Sequence, residues 1–295
     1  MKPAPFRYAS PGSVNEAVEL LSEHGDEAKV LAGGQSLVPM MSMRLAQPEV
    51  IVDINGLGSL ASLDQRADGS WLVGALVRHA ALERIAPDGP VAALLRRTAG
   101  EIGHLPIRLR GSIGGSLVHA DPAAEWPAVV MALEGTLVLQ SARGTRRVPA
   151  AEFADGPYMT AIADDELLTG IELPPPRPGL ATAFAEVSRR PGDFATALSA
   201  AALTAQDGVV TSARIVVGGM AGGPVRCPGA EDLLTGTGVD AIAPAAAGEA
   251  ARESCRAYDD FHASAAYRVS MASVAVADAV AAAASTLRQA NGAGR

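Results

Sequence analysis

Two short segments of the sequence place adjacent glycines beside hydroxyl side chains. The first glycine segment reads LAGGQSLVPMM at residues 31–41, and the second reads RGSIGGSLVHADPAAEW at residues 110–126. Glycine lets the backbone approach a ligand closely and adopt positive φ, so that successive N–H groups can converge on an anion. A helix that begins after such a loop adds its positive end. The two segments therefore favour a phosphate or diphosphate ligand, with further hydrogen bonds from Gln35, Ser36, Ser112 and Ser116.

Neither segment has an established nucleotide-binding pattern. GGQSLV lacks the lysine and the spacing of a P-loop, and GSIGGS is not G-x-G-x-x-G, so a Rossmann or P-loop domain is disfavoured. A single Gly-Gly pair is more often a tight turn than a ligand site. Two similar loops, each between a strand-like and a helix-like segment, favour one shared ligand instead.

The other reactive side chains form no recognisable catalytic or metal-binding set. The five histidines lack H-x-x-x-H spacing, and two cysteines are too few for a four-cysteine iron–sulfur cluster. A hydrolase that uses Ser36 or Ser116 with His119 and Asp121 is a weak alternative, because neither serine lies in G-x-S-x-G. We therefore assign no catalytic residue and no metal ligand, and we expect any iron–sulfur centre on another chain.

The elements that must position the first glycine segment form a β-α-β unit. A helix begins at a capping box of Ser13 and Glu16 and ends at Gly25, because apolar residues recur between them at helical spacing. Strands follow at residues 28–34 and 49–56, with a helix beginning in SLVPMMSMRLA between them. We predict a first subdomain at residues 1–57 with the glycine loop at the end of its strand.

The rest of the chain predicts two further units. In residues 58–177 we expect a strand at 70–77, helices at 79–86, 91–102 and 125–135, and one sheet with strands at 136–141, 146–153 and 166–174. The prolines at 174–176 mark a boundary. In residues 178–295 we expect strands at 181–188 and 211–220 and a long alanine-rich helix at 262–287.

Composition limits the class of protein. At 295 residues the chain is long enough for two or three domains, and 48% hydrophobic with 19% charged residues is typical of a globular protein. A net charge of -8 and the absence of basic runs exclude nucleic acid as the main partner. No uninterrupted apolar run of about 18 residues occurs, and prolines interrupt the first residues, so we expect no membrane insertion and a cytoplasmic protein.

The two glycine segments, in this order and context, resemble those of the medium, flavin-carrying subunit of molybdenum hydroxylases, the carbon monoxide dehydrogenase and xanthine dehydrogenase family. The resemblance continues through SRRPGDFATA at 188–197, VVGGMAGGPVR at 216–226 and DFHASAAYRVSMASV at 260–274. It implies an α+β fold: a two-subdomain FAD-binding domain of the PCMH (vanillyl-alcohol oxidase-like) type, followed by a C-terminal α+β domain with a small antiparallel sheet and helices.

The resemblance also implies a set of FAD contacts. Leu167 and Leu168 would contact the adenine, and Phe194 would lie near the isoalloxazine ring. Glu125, or its neighbour Asp121, would contact the ribose. The diphosphate would be bound by Ala32, Gly33, Gly34, Gln35 and Ser36, with Leu37 adjoining, and by Ser112, Ile113, Gly114, Gly115 and Ser116.

Some of these residues have plainer explanations that the sequence leaves open. Glu125 fits the first turn of a helix, where the dipole favours a carboxylate. Leu167 and Leu168 fit the core of a strand, which is the commoner position of leucine. The family also more often has His at position 35 and Asn at position 116, so two contacts differ from the usual pattern.

What the resemblance implies about function is electron transfer rather than substrate chemistry. FAD on this chain would pass electrons from 2Fe-2S clusters of a small subunit to NAD, quinone or dioxygen. An N-heterocycle, an aldehyde or CO would be oxidised at the molybdopterin cofactor of a large subunit, in a heterotrimer that is doubled into a dimer of heterotrimers. The alternative is a stand-alone FAD-dependent oxidoreductase or diaphorase.

Overall fold

The N-terminal residues form a small parallel sheet that carries the first glycine segment. In the computed structural model, which describes residues 2–86 and 88–293, the strands pair in the order β1-β3-β2. The elements are β1 (Arg7–Ala9), α1 (Val14–His24), β2 (Ala28–Leu31), α2 (Leu37–Ser42) and β3 (Val50–Asp53). The predicted β-α-β unit is confirmed, with the glycine pair between β2 and α2.

Helix α1 begins at the predicted capping box. Ser13 Oγ accepts a hydrogen bond from the Glu16 amide at 3.1 Å, and the Glu16 carboxylate accepts one from the Gly12 amide at 2.7 Å. Two amides at the helix start, which have no acceptor within the helix, are thereby satisfied. The helix packs on the sheet through the apolar positions with helical spacing, Ala17, Val18 and Leu21.

The second unit contains a five-stranded antiparallel sheet in the order β4-β5-β10-β6-β7. Its helices are α3 (His79–Leu82), α4 (Pro90–Glu101), α5 (Leu105–Arg110), α6 (Ile113–His119) and α7 (Glu125–Ala132). The strands of this sheet are β4 (Leu63–Gln65), β5 (Trp71–Gly74), β6 (Thr136–Ser141), β7 (Gly144–Pro149) and β10 (Leu167–Leu173). A separate two-stranded sheet is formed by β8 (Ala154–Gly156) and β9 (Met159–Thr160). The predicted pairing of three strands in one sheet is confirmed. The strand predicted to run to residue 153 ends at Pro149, which has no amide to donate.

The second glycine segment is not the loop that the sequence predicts. Gly114 and Gly115 lie in the first turn of α6, and the segment joins two helices, α5 and α6, rather than a strand and a helix. Ser112 is the N-cap, and its Oγ accepts from the Gly115 amide at 3.2 Å, so the helix begins before the glycines. The hydroxyl expected to bind a ligand therefore also caps a helix.

The C-terminal residues form a four-stranded antiparallel sheet in the order β11-β12-β13-β14, with helices packed on both of its faces. The strands are β11 (Leu180–Ser188), β12 (Ala195–Gln206), β13 (Val209–Gly218) and β14 (Val225–Arg226). The helices are α8 (Pro228–Leu234), α9 (Pro244–Ala251) and α10 (Ala265–Ala293). The predicted α+β class is confirmed. The three predicted domain ranges remain predictions, since one apolar cluster extends from β5 and α7 into β12 and β13.

Helix α10 has the length and composition of a membrane span, because its residues 265–291 have a mean hydropathy of 1.5. One face of the helix is nevertheless buried in the C-terminal core, where it packs on β11 and β12. The residues of that face include Ala272, Val276, Ala279, Val280 and Ala283. These contacts explain the apolar composition of the helix as that of a core element, and the expected lack of membrane insertion stays a prediction.

Candidate functional site

The two glycine segments are in direct contact. A Cβ added to Gly33 would lie 2.5 Å from the Arg110 carbonyl oxygen and 2.7 Å from Gly111 Cα. A Cβ added to Gly115 would lie 3.7 Å from Ala32 Cβ. Any side chain at position 33 would force the backbones apart, so glycine is required there for close approach. The two segments therefore pack against each other, and a ligand shared between them stays a prediction.

A cleft of about 340 Å³ opens at this contact. It contains four residues of the predicted diphosphate site, Ala32, Gly33, Gly34 and Gln35, and further residues that were not predicted. The full lining consists of Leu31, Ala32, Gly33, Gly34, Gln35, Val38, Pro39, Asp53, Asn55 and Arg110. The first glycine segment supplies most of this surface.

The first glycine segment presents a run of free hydrogen-bond donors. The amide N–H groups of residues 32–37 donate to no acceptor among residues 2–86 and 88–293. Gly34 has φ +71, a conformation that other residues adopt only at a cost. Buried or half-buried amides are rarely left unpaired in folded proteins. A ligand with several acceptor oxygens is therefore the natural partner of this run.

The amides of the second glycine segment are already used within the fold. Ile113 and Gly114 donate to the carbonyls of Val77 and Ala75, both at 3.0 Å. The Gly115 and Ser116 amides donate to the Oγ and carbonyl of Ser112, at 3.2 and 3.1 Å. Among these residues the Ser112 amide alone donates to no acceptor in the described chain, so the segment shapes the site chiefly by close packing.

A bridge of two polar side chains, which sequence reasoning missed, joins the segments. Asn55 Nδ2 donates to the Ala32 carbonyl at 2.9 Å, and Asn55 Oδ1 accepts from Arg78 Nη2 at 2.5 Å. Arg78 Nη1 in turn donates to the Arg110 carbonyl. The sequence placed Asn55 only at the end of the strand predicted at 49–56, because nothing in the local pattern shows that Asn55 and Arg78 face each other.

Asp53 orients this bridge. Its carboxylate accepts hydrogen bonds from Tyr8 Oη at 2.5 Å, from the backbone N–H of Asn55 at 2.9 Å and from Asn55 Nδ2 at 2.6 Å. Partial burial acts to raise the pKa of Asp53, but the hydrogen bonds from Tyr8 and Asn55 outweigh it and hold that pKa below its ordinary value. Asp53 is thus an ionised acceptor that fixes the Asn55 side chain.

A buried histidine packs against the backbone of the second glycine segment at Gly111. Trp126 Nε1 donates to His79 Nδ1 at 3.1 Å, and a Cβ on Gly111 would lie 2.7 Å from the His79 ring. Burial, with a smaller effect of the charge on Arg78, lowers the pKa of His79 to about 4. The ring is therefore neutral near pH 7 and packs as a rigid support for Gly111.

The remaining predicted contacts lie outside the lining of the cleft. Leu167 and Leu168 are each 3% exposed and lie in apolar clusters, whereas Phe194, in the loop between β11 and β12, is 71% exposed. Asp121 accepts from the Ala123 amide at 2.9 Å and from Tyr158 Oη at 3.3 Å. The predicted contacts of Leu167 and Leu168 with adenine, of Phe194 with the isoalloxazine ring and of Asp121 with the ribose stay predictions.

Glu125 is the first residue of α7, and its side chain is almost completely buried. Burial raises the pKa of Glu125 to about 7, with smaller contributions from Asp121 and Glu101. Glu186, on β11, has its pKa raised to about 8 by burial and by the charge of Glu125. These carboxyls lie where the second unit meets the C-terminal sheet. Glu186 is mostly protonated near pH 7, whereas Glu125 is about half protonated there.

The serines do not form a hydrolytic site with His119. Neither Ser36 Oγ nor Ser116 Oγ makes a hydrogen bond to a histidine within the described residues. The His119 ring instead packs against the Tyr158 ring, with centroids 5.2 Å apart. The geometry therefore supports anion binding and gives no support to nucleophilic catalysis.

Comparison with known proteins gives matches along nearly the whole chain. Residues 4–176 match the family described as "FAD binding domain in molybdopterin dehydrogenase", and residues 182–283 match "CO dehydrogenase flavoprotein C-terminal domain". The chain is 40% identical over 268 residues to the nicotine 6-hydroxylase medium subunit of Paenarthrobacter nicotinovorans, covering 91% of this chain and 93% of that protein. It is 36% identical over 277 residues to the carbon monoxide dehydrogenase medium chain of Hydrogenophaga pseudoflava, covering 92% and 94%.

A solved structure gives the same result. The fold superposes on a chain of reconstituted CO dehydrogenase from Oligotropha carboxidovorans with a TM-score of 0.92 and 35% identity. The superposition covers 97% of this chain and 99% of that chain. The similarity thus extends over both units of the glycine cleft and over the C-terminal sheet.

The two glycines of α6 should differ sharply in what they tolerate. A Cβ on Gly114 would lie 2.6 Å from the Ala75 carbonyl oxygen, whereas a Cβ on Gly115 would meet only Ser112 Oγ at 3.0 Å and Ala32 Cβ at 3.7 Å. We expect Gly114→Ala to lower the free energy of unfolding by about 1–3 kcal/mol, as overpacking does. Gly115→Ala should leave it within about 1 kcal/mol of the wild type. Urea denaturation of both variants checks this, and equal losses would contradict the packing described.

The buried carboxyl of Glu125 should make stability depend on pH. Because the pKa is raised to about 7 in the folded chain, the folded state binds more protons than the unfolded state between about pH 4.5 and pH 7. The free energy of unfolding should therefore fall as pH rises through this window, by at most about 3 kcal/mol from this group. Glu125→Gln should flatten the fall, and the exposed Glu152→Gln control should not. Parallel pH profiles for wild type and Glu125→Gln in chemical denaturation would disprove it.

Proposed function

Because the chain belongs to the family of FAD-binding medium subunits of molybdenum hydroxylases, we propose that it holds FAD in the glycine cleft and relays electrons through it. In this proposal the electrons come from 2Fe-2S clusters on a small subunit and leave to NAD, quinone or dioxygen. The observation that carries the proposal is the run of free amides at residues 32–37 beside the cleft.

The residues present fit a dinucleotide diphosphate. Four phosphate oxygens with several lone pairs each match a row of successive N–H donors better than one carboxylate would. Gly33 and Gly34 expose backbone where any side chain would fill the approach or strain the loop. Ser36 adds a hydroxyl with no helix-capping bond of its own. The first glycine segment would thus hold the diphosphate, and the second would close the other side.

In this proposal the chain binds FAD and positions it. When bound, FAD supplies the ability to exchange electrons singly or in pairs, which links one-electron clusters to a two-electron acceptor. No serine hydroxyl among the described residues hydrogen-bonds a histidine, and no group of three or more His, Cys, Asp or Glu side chains among them is placed to hold a metal ion. Substrate oxidation would therefore belong to another subunit.

We propose the partners from the relatives. Two relatives that match along the chain are named the medium subunit of nicotine 6-hydroxylase and the medium chain of carbon monoxide dehydrogenase. A large molybdopterin-binding subunit and a small 2Fe-2S subunit would complete a cytoplasmic heterotrimer, which pairs into a dimer of heterotrimers. The substrate class on the large subunit would be an N-heterocycle, an aldehyde or CO.

The flavin-free chain should take up FAD, and loss of one glycine should prevent it. Gly34→Val places a branched side chain at φ +71 beside Leu31 and Val38, and Gly115→Val fills the space towards Ala32. We expect flavin absorbance after reconstitution of the wild type and its loss in both variants. Gly100→Val is the matched control, because a Cβ on Gly100 meets nothing within 4 Å. A wild-type chain that retains no flavin absorbance once unbound FAD has been removed would refute the proposed function.

The native protein should elute as a complex and not as a single chain. The mass of this chain is 30.0 kDa, and a dimer of heterotrimers would elute several-fold above it in gel filtration of a native extract. Co-purifying chains should include one with molybdopterin and a small one with iron and acid-labile sulfide. A native flavoprotein that elutes at the mass of one chain would instead identify a stand-alone oxidoreductase.

A further inference from the structure

The cleft contains a positive charge that no side chain among residues 2–86 and 88–293 neutralises by direct contact. Arg110, the last residue of α5, lines the cleft with an exposed side chain. Its guanidinium makes no hydrogen bond or ion pair with any residue in the part of the chain that the structure describes. By contrast, the neighbouring Arg78 has both Nη atoms engaged, one on the Arg110 carbonyl and one on Asn55.

The bridge fixes the backbone of Arg110 and leaves its side chain free. The Arg110 carbonyl is held by Arg78 and lies against Gly33, where a Cβ would be 2.5 Å away. The guanidinium therefore extends from an anchored point at the junction of the two glycine segments. Arginine in such a position can donate two parallel N–H bonds to phosphate oxygens.

The surrounding charges favour an anion at this point. The charge of Arg110, together with burial as the larger cause, lowers the pKa of Arg78, so the two cations oppose each other without a ligand. Asp53 is the carboxylate in the cleft lining, and its oxygens already accept from Tyr8 and Asn55. The lining thus holds one guanidinium, that of Arg110, and one carboxylate, that of Asp53, whose pKa the charge of Arg110 helps to lower. The Arg78 guanidinium lies next to the lining, on the Arg110 carbonyl, and adds a second positive charge there.

We propose that Arg110 is the charge partner of the FAD diphosphate, placed by the bridge of Asn55 and Arg78. The assignment rests on the proposed function and deepens it. The amides of residues 32–37 are neutral donors that fix the orientation of the phosphates, whereas Arg110 neutralises their charge. The site thereby distinguishes ligands that carry a diphosphate, such as FAD and ADP, from uncharged riboflavin.

The test is FAD and ADP binding to the flavin-free full chain, measured by calorimetry at low and at high ionic strength. Arg110→Gln should weaken both ligands by roughly ten- to a hundredfold, as loss of a charged hydrogen bond does. Added salt should also lower the affinity of Arg110→Gln less than that of the wild type, because the variant lacks the ion pair between Arg110 and the diphosphate that salt screens. Arg110→Lys, which keeps the charge and loses the planar fork, should lie between the two.

Arg147→Gln is the matched control. Arg147 lies on β7, which contributes no residue to the lining of the cleft, and it pairs with Glu172 at 3.0 Å. The Arg147→Gln variant should bind FAD with the affinity of the wild type. Unchanged FAD affinity and salt dependence in Arg110→Gln would overturn the assignment. So would an affinity loss accompanied by a lower melting temperature and an unchanged salt dependence, which would indicate a structural role. A wild-type chain that binds no FAD would refute the proposed function itself.

Discussion

The site depends on one close approach, that of the Gly33 backbone to the backbone of Arg110 and Gly111. No side chain fits at position 33, because its Cβ would lie 2.5 Å from a carbonyl oxygen. This contact joins the end of β2 in the parallel sheet to the helices of the second unit. The cleft, the exposed amides and the position of Arg110 all follow from it, since each lies within a few residues of the contact.

The contact is held by polar groups that are themselves well satisfied. Tyr8, Asp53, Asn55 and Arg78 form a chain of hydrogen bonds from β1 to the Arg110 carbonyl. Below it, the neutral His79 accepts from Trp126 and packs under Gly111. Such networks rigidify a site when every member has a partner. The positions of the two segments are therefore fixed before any ligand arrives, which reduces the entropy that binding must overcome.

Local pattern was sufficient to predict many of the elements and to associate the two glycine segments with each other, but not the contacts between them. The capping box of α1 and the β-α-β unit follow from residues a few positions apart, and glycine pairs with hydroxyls indicated an anion. Strand β12, with ten successive buried residues and many alanines, has neither alternation nor strand composition, so only its neighbours in the sheet determine it. Asn55 and Arg78 were missed because the residues that they join lie 23 and 32 positions away.

The two glycine segments differ in a way that their similar sequences conceal. In α6 the amides are satisfied by Val77, Ala75 and Ser112, so this segment is stable without a ligand. At residues 32–37 the amides have no partner in the described chain, and the fold leaves their hydrogen-bonding capacity unused. An unpaired half-buried donor costs free energy that a bound acceptor recovers. The first segment is thus the part of the fold that a ligand completes, and ligand binding must add to the stability of the folded chain by mass action.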